Sequence, residues 1–446
     1  MNNKIKYGDV STPKYFVEKI LDLLPINVWH NPDLKWLDPG CGNGIFICCI
    51  YEHLFISLKD KIIDDKKRRS HIIENMLYMV EINNEYIQSL YTIFGEKANI
   101  YNEDFILWNN DSQFDVIVGN PPYNVNGIIK VPTKQSTNKK NDGKAIWKSF
   151  IKKSLSVMNN FGYLCVCIPT IWMKPDKENM YELFFENNIV KIRCYDNTET
   201  NKIFSYSAQT PISCICLQNN QHKENNQCIL LYDKYVKNNF ISYKLDYSMP
   251  IPLEYAYIFT ILQPYVKKYG SLFDYVIKTN MPPNNTVLSR TLNEECKYFN
   301  IHSCLIKNKV DPELYIQYSN NPLIYSGVRK IVCAHKMYGF PYYDCDGKYG
   351  ISNRDNYVIL ENKKINMKQL FMFLSTSFCR TLFKATRYRM KYLEKYIFQL
   401  IPNICNIPDF PIIVNNDSIF SFFSFDFDSS IFHEKINYNS FNFIEN

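Results

Sequence analysis

Close to its start the chain runs from a short apolar stretch, Lys35-Trp36-Leu37, straight into Asp38-Pro39-Gly40-Cys41-Gly42-Asn43-Gly44, and an apolar run from about Ile45 to Leu54 follows. A strand, a glycine turn and a helix in that order commit a chain to an α/β sheet. The turn lets the backbone come close to a ligand and leaves a helix N-terminus facing it. Glycine is scarce elsewhere, with 14 in 446 residues, so three of them within 40–44 mark a place where the backbone must approach something.

The alternation continues. Met76 to Ile82 reads as a second strand carrying Glu81 at its end. Ala98 to Tyr101 reads as a third, followed by Asp104-Phe105. Phe114 to Gly119 reads as a fourth and runs into Asn120-Pro121-Pro122-Tyr123. A loop over 124–145, rich in Asn, Lys, Thr and Gly, leads to a helix from about Ala145 to Met158. The strand Gly162 to Ile168, a helix near Glu178 to Glu186 and the strands Val190 to Tyr195 and Pro211 to Leu217 complete the pattern. The Asn/Gln/Lys-rich stretch Gln218 to Gln227 breaks it and reads as a domain boundary. A chain of this length fits two domains, here 1–220 and 221–446.

The strand ends carry a consistent chemistry. Glu81 is placed to accept both hydroxyls of a ribose. Asp104 is placed to accept from an adenine amino group, with Phe105 against the ring. With Gly40, Gly42 and Gly44 ahead of them, and Asp38 opening the turn, these residues suit an adenosyl cofactor at the C-terminal ends of an open sheet. The alternative is a ligand-free turn, an ordinary surface acid and a core phenylalanine. No Lys follows the glycines as in a phosphate loop, and the spacing is not that of a dinucleotide fingerprint. Cys41 reads as a small filler inside the turn.

Asn120 to Tyr123 carry the reacting chemistry. An exocyclic amino nitrogen is a poor nucleophile because its lone pair is delocalised into the ring. Two acceptors aimed at its N–H bonds favour a more tetrahedral nitrogen, whose lone pair then points at a methylsulfonium. The side-chain oxygen of Asn120 and the backbone oxygen of Pro121 are such acceptors, and Pro121-Pro122 fix the backbone that presents them. Tyr123 offers a flat face to a planar base. Met281-Pro282-Pro283-Asn284 lacks both the Asn and the aromatic, and reads as a plain turn.

Other chemistries lack their residues. No Pro-Cys dipeptide occurs, against a cysteine nucleophile attacking cytosine carbon-5. None of the 15 cysteines forms a C-x-x-C pair, so zinc spacing is absent and no metal site is expected. Cys165/Cys167 and Cys214/Cys216 lie in apolar runs, where residues two apart share a face of a strand and suit packing. No signal peptide or run of about 18 apolar residues is seen, so an intracellular, cytoplasmic protein without a membrane partner is expected, with a nucleus or viral factory as other settings.

These residues resemble the amino-methyltransferases whose cofactor motifs precede Asn-Pro-Pro-Tyr. More narrowly, they resemble DNA adenine-N6 methyltransferases of restriction–modification type with a C-terminal target-recognition domain. The resemblance starts at Ser11-Thr12-Pro13, where Thr12 and Pro13 begin the segment that caps the methionine end of S-adenosylmethionine. It runs on through Trp147 and Phe150, Gly162-Tyr163-Leu164, Ile168 to Trp172 and Thr210-Pro211-Ile212, and so covers roughly the first 217 residues. It implies an α/β fold: a Rossmann-like, seven-stranded mixed sheet, followed by an α+β recognition domain. It also implies S-adenosylmethionine as cofactor and a flipped adenine in double-stranded DNA as substrate. A monomer is expected, and a cognate restriction endonuclease is left open. No nuclease domain is expected ahead of a motif that begins at residue 11.

The second half resembles the family more loosely, at Lys330-Ile331-Val332, from Tyr349 to Ile359 and at Tyr392-Leu393-Glu394. Residues 361–402 hold nine Lys/Arg against two Glu, whereas 403–446 hold six acids and one Lys, an acidic tail. Lys384, Arg387, Arg389 and Lys391 lie among Tyr388, Tyr392 and Tyr396, a mixture suited to phosphates and bases. At helical spacing Lys384, Arg387 and Lys391 share one side. The alternative is a solvated helix face over an aromatic core stripe. The net charge of +7 is compatible with a polyanion. The same acceptor loop serves any planar amino group, so RNA bases or a protein glutamine are alternative substrates. A non-catalytic DNA-specificity protein is the remaining alternative.

Overall fold

The computed structural model of the protein describes residues 10–124, 145–175, 179–206, 208, 210–220, 227–237, 239–307, 311–335, 340–389, 392–426 and 432. The chain forms two compact units, the first from residues 1–232 and 238–247 and the second from 233–237 and 248–446.

The first unit is built on one nine-stranded sheet. Its strands are β1 (Trp36–Asp38), β2 (Leu77–Val80), β3 (Asn99–Tyr101), β4 (Phe114–Gly119), β5 (Met158–Pro169), β6 (Asn188–Tyr195), β7 (Ile212–Gln218), β8 (Cys228–Tyr232) and β9 (Phe240–Lys244), in the spatial order β3-β2-β1-β4-β5-β7-β6-β8-β9. The run from β3 to β5 is parallel, while β7 is antiparallel to both β5 and β6. Strand order reverses between β1 and β4, and such a switch point opens the crevice where open α/β sheets bind ligands. The expected mixed sheet is therefore present, with β8 and β9 added at one edge.

The central strands are buried on both faces, as parallel strands between helices are. Trp36, Leu37, Val116, Ile117 and Val118 are fully enclosed. Asp115, the one charged residue of β4, sits at the far end from the site. Its carboxylate accepts from the Lys35 backbone N–H at 2.8 Å and from Asn159 Nδ2 at 2.7 Å, tying β1 and the start of β5 to β4. This pinning accompanies the start of β5 at Met158, four residues before the expected Gly162. The helices α1 (Lys14–Leu21), α2 (Ile45–Ser57), α3 (Asp65–His71), α4 (Asn84–Phe94), α5 (Trp147–Ser156), α6 (Met180–Phe185) and α7 (Asn197–Ile203) surround the sheet sequence. Helix α1 buries Phe16, Val17, Ile20 and Leu21, and Phe16 meets Tyr195 and Phe204 edge-on at 5.2 and 5.6 Å. Each such side chain stabilises the fold by about 1.5–3 kcal/mol. Cys165 faces Cys216 and Cys167 faces Cys214 across β5 and β7; all four thiols are buried and free.

The first unit extends past residue 220. Strand β8 alternates, with Ile229 and Leu231 buried, and adds in parallel to β6 through Leu230 opposite Lys191. The first unit thus continues through β9 to residue 247. Sequence composition marked the turn and not the strand beyond it.

The second unit holds two four-stranded sheets. One contains β10 (Val276–Lys278), β14 (Lys330–Ala334), β15 (Pro341–Asp344) and β17 (Asn356–Leu360). The other contains β11 (Leu288–Ser289), β12 (Tyr298–Lys307), β13 (Asp311–Ser319) and β16 (Gly350–Ile351). Ile301, Cys304, Val332, Phe340, Tyr342, Ile351 and Val358 form a shared core. The helices are α8 (Ala256–Tyr269), α9 (Met367–Ser375), α10 (Ser377–Leu382), α11 (Ile397–Leu400) and α12 (Asn416–Phe423). Lys330 is fully buried: its Nζ bonds Asp344 Oδ2 at 2.5 Å and the backbone oxygens of Tyr325, Val328 and Tyr349 at 3.0, 3.0 and 2.5 Å.

Two expectations about this unit change. The basic block is not one helix: α10 ends at Leu382, a single tighter turn follows to Thr386, and Arg387 leaves helical geometry at φ −80°, ψ 62°. The core takes over here. Tyr388 is fully buried with its hydroxyl on the Ile251 carbonyl at 2.7 Å, and the Ala385 carbonyl accepts from Leu253 N–H at 2.8 Å. In addition, the described start of the acidic tail is packed structure, since Phe410, Ile419 and Phe423 are buried. Among the described residues, no helix is long and apolar enough to cross a membrane.

Candidate active site

The glycine turn joins β1 to α2 at the switch point. Gly42 and Gly44 hold φ of +51° and +81°, a region that side chains other than glycine avoid. A Cβ on Gly44 would come within 2.7 Å of Leu90 Cδ2, so the turn and α4 approach closely only because that atom is missing. The Gly44 N–H closes the turn on the Cys41 carbonyl at 2.8 Å. Cys41 itself is buried, and burial raises its thiol well above the ordinary value, which fits a filler and not a nucleophile.

Glu81 follows β2 directly and is nearly buried, at 7 % exposure. Its Oε2 accepts the Gly42 N–H at 2.7 Å and its Oε1 the Asn83 N–H at 2.7 Å. Asn83 caps α4 by accepting the Glu85 N–H, while its Nδ2 is buried without a partner among the described residues. Sequence reading passed over Asn83, although an Asn two residues past a strand-end acid and just ahead of a helix is a recognisable cap.

Asp38 ends β1. Its Oδ1 accepts the Gly40 N–H at 3.2 Å, and its Oδ2 is buried without a partner among the described residues. Burial pushes its carboxyl up to about 8, with Gly40 opposing and the nearby Glu81 adding to the rise. A Cβ on Gly119, the last residue of β4, would stand 3.1 Å from Asp38 Oδ1. Glycine at 119 therefore lets the reacting loop begin against the cofactor turn.

Asp104 and Phe105 follow β3. The Asp104 Oδ1 accepts the Ile106 N–H at 2.9 Å, and the carboxylate is half-exposed. Phe105 is 2 % exposed and tilts against Phe150 at 5.5 Å, and Phe150 in turn lies where a Cβ on Gly40 would meet it at 3.7 Å. Phe105 is thus core as it stands. Thr12 and Pro13 enter α1, whose first N–H groups the Pro13 carbonyl accepts from Phe16 and Val17.

The Asn120 side chain is half-enclosed. Its Nδ2 donates to Thr12 Oγ1 at 3.1 Å, and its Oδ1 is buried without a partner among the described residues. Tyr123 packs against the core, its hydroxyl 3.4 Å from Cys167 Sγ, and burial raises its phenol well above the ordinary value. Past it, the Ile146 N–H bonds the Tyr123 carbonyl at 3.0 Å and Asn124 bridges Ala145, so the loop begins and ends at one place. The rest of the 124–145 loop lies outside the described residues. Thr12, Asp38, Gly40, Gly42, Gly44, Glu81, Gly119 and Asn120 are thereby linked by contact around the switch point.

The donor and acceptor set fits an adenosyl group with an amino-acid end. Left-handed glycines keep the turn clear of side chains, an acid stands at the β2 end, and Asp38 Oδ2 and Asn83 Nδ2 are buried polar atoms without a partner among the described residues. In the second unit, Lys384 and Arg387 are half-buried and Arg389 is exposed, and they do not lie on one helical face. Lys391 lies outside the described residues.

Sheet order gives the first unit the Rossmann-like α/β fold shared by methyltransferases. Residues 50–204 match the model of the Eco57I restriction-modification methylase family. An uncharacterized adenine-specific methylase of Mycoplasma pneumoniae is 27% identical, across 37% of this chain and 56% of that protein. Modification methylase CviBIII of Paramecium bursaria Chlorella virus NC1A is 27% identical, across 37% of this chain and 39% of that protein. The chain thus spans about half the length or less of these curated relatives. Among solved structures, the Type IIL restriction-modification enzyme MmeI in complex with DNA covers 88% of this chain and 67% of that one, at 10% identity and a TM-score of 0.47.

Proposed function

We propose that the protein transfers a methyl group from S-adenosylmethionine to the N6 amino group of a flipped adenine in double-stranded DNA. The observation that carries the reading is Asn120 Oδ1, a buried acceptor with no partner among the described residues, at the switch point beside the glycine turn. When bound, S-adenosylmethionine supplies an activated methyl group. Asn120 Oδ1 and the Pro121 carbonyl accept from the two amino protons and draw the nitrogen toward tetrahedral geometry. Glu81 would hold the sugar hydroxyls, the side-chain-free glycine turn would let the polar end lie close to the backbone, and Asp104 would accept from the cofactor's adenine. Thr12 and Pro13 would line the methionine end. Tyr123, fixed through its hydroxyl, presents its ring to the substrate base. The likeness to an adenine-specific methylase favours adenine over other planar amino groups.

In the second unit, target recognition is assigned to 248–446, with Lys384, Arg387, Arg389 and Lys391 as phosphate contacts. The test is incubation with radiolabelled S-adenosylmethionine and DNA, RNA or protein in parallel, beside Asn120→Ala. Label in adenine of DNA that is lost in the variant supports the proposal. Label confined to RNA or protein, or binding to DNA without transfer, overturns it.

A further inference from the structure

An asparagine amide has two ends, and only its oxygen can accept from a substrate amino group. Reversal of the Asn120 amide would set NH₂ against NH₂. Asparagine usually settles its oxygen locally, on the backbone N–H two residues on. That route is closed here, because residues 121 and 122 are both proline and have no N–H. The oxygen is buried without a partner among the described residues, and nothing within the motif decides which way the amide faces.

The deciding contact comes from 108 residues upstream, where Thr12 Oγ1 accepts from Asn120 Nδ2 at 3.1 Å. Thr12 is built to hold still. It is 6 % exposed. It precedes a proline, which restricts its backbone to extended conformations, and its branched Cβ stiffens χ1. The helix it enters is anchored by Phe16, Val17, Ile20 and Leu21.

We propose that Thr12 is a positioning residue that sets the acceptor face of Asn120 toward the substrate amino group. This rests on the amino-methyltransferase reading given above. A hydroxyl serves either end of an amide, so Thr12 enforces one orientation when its own proton is given to another acceptor. Asp38, beside Gly119, places the glycine turn next to this pair, where an anionic group of a bound cofactor would accept the Thr12 hydroxyl's hydrogen bond. Thr12 would then hold the amide in one orientation before substrate enters.

The test compares Thr12→Val, which keeps the shape and removes the hydroxyl, with Thr12→Ser, which keeps the hydroxyl. Single-turnover methylation of DNA, calorimetric affinity for S-adenosylmethionine and thermal melting are measured on each. Thr12→Val should slow transfer roughly tenfold to a hundredfold, the scale of a buried group left without its partner, and Thr12→Ser should restore most of it. In an Asn120→Ala background, Thr12→Val should change the residual rate no further, since one residue acts through the other. Selective ¹⁵N labelling of asparagine gives a readout independent of turnover: the Asn120 side-chain amide signal should move in Thr12→Val. An unchanged rate and amide signal, or an equal loss in both backgrounds, overturns the proposal. A wild type that leaves DNA unmethylated overturns the functional reading instead, and the amide signal still reports on Thr12.

Discussion

The carboxylate of Glu81 accepts the backbone N–H of Gly42 at 2.7 Å, across 39 residues of sequence. The acid at the end of β2 therefore shapes the turn at the end of β1. Its other oxygen holds Asn83, which caps α4. One side chain thus ties two strand ends and a helix start.

Removing Glu81 should cost both affinity and stability. Glu81→Ala leaves two enclosed N–H groups without acceptors, at about 1–3 kcal/mol each. Calorimetry should show S-adenosylmethionine binding weakened at least tenfold, and melting should occur several degrees lower. Glu81→Gln should fall between, because its amide accepts one N–H and opposes the other. Wild-type binding in Glu81→Ala would remove Glu81 from the site.

Asp38 gives the ligand-free protein a pH signature. Its folded carboxyl is raised to about 8 by burial, while in the unfolded chain it titrates near 3.9. Between those values the folded state binds the extra proton. Stability from this group is therefore fully present below about pH 4, falls as pH rises toward about 8 and levels beyond. The slope is at most about 1.4 kcal/mol per pH unit. Melting curves across that window should show a decline that Asp38→Asn flattens. An identical decline in the variant would assign it to other groups.

Lys330 and Asp344 should behave as a buried pair. Lys330→Met strands the Asp344 carboxylate, and Asp344→Leu strands an ammonium whose burial already lowers its proton affinity. Each single change should cost about 3–5 kcal/mol by denaturant unfolding, and the double change should recover part of that. Additive losses would show that the two side chains do not act as a pair.

Arg389 is exposed and Tyr388 is not. Arg389→Ala should weaken DNA binding about equally across sequences and lower the salt slope by about one. Tyr388→Phe should leave the salt slope unchanged and reduce stability through the lost bond to Ile251. An unaltered slope in Arg389→Ala would take this segment out of the DNA contact.

Sheet and glycine turn were readable because their signals are local. Apolar runs of strand length, each ending in Asp, Glu or Asn, need no distant partner to be recognised. Thr12 was read as a cofactor residue, but its bond to Asn120 was not visible, because only the folded chain brings β4 to the start of α1. Spacing alone placed Lys384, Arg387 and Lys391 on one face. It could not show that the core draws in Tyr388 and stops the helix at Thr386. Lys330 opened a run read as Lys330-Ile331-Val332, and its burial depends on Asp344 in another strand.

The central claim is that Asn120 presents its oxygen to an adenine amino group. The direct measurement is mass spectrometry of nucleosides from DNA incubated with S-adenosylmethionine and either wild type or Asn120→Ala, with cofactor affinity measured on both proteins. The prediction is N6-methyldeoxyadenosine from the wild type and at least a hundredfold less from the variant, at unchanged cofactor affinity. Equal yields, or methyl found only on cytosine, would contradict it.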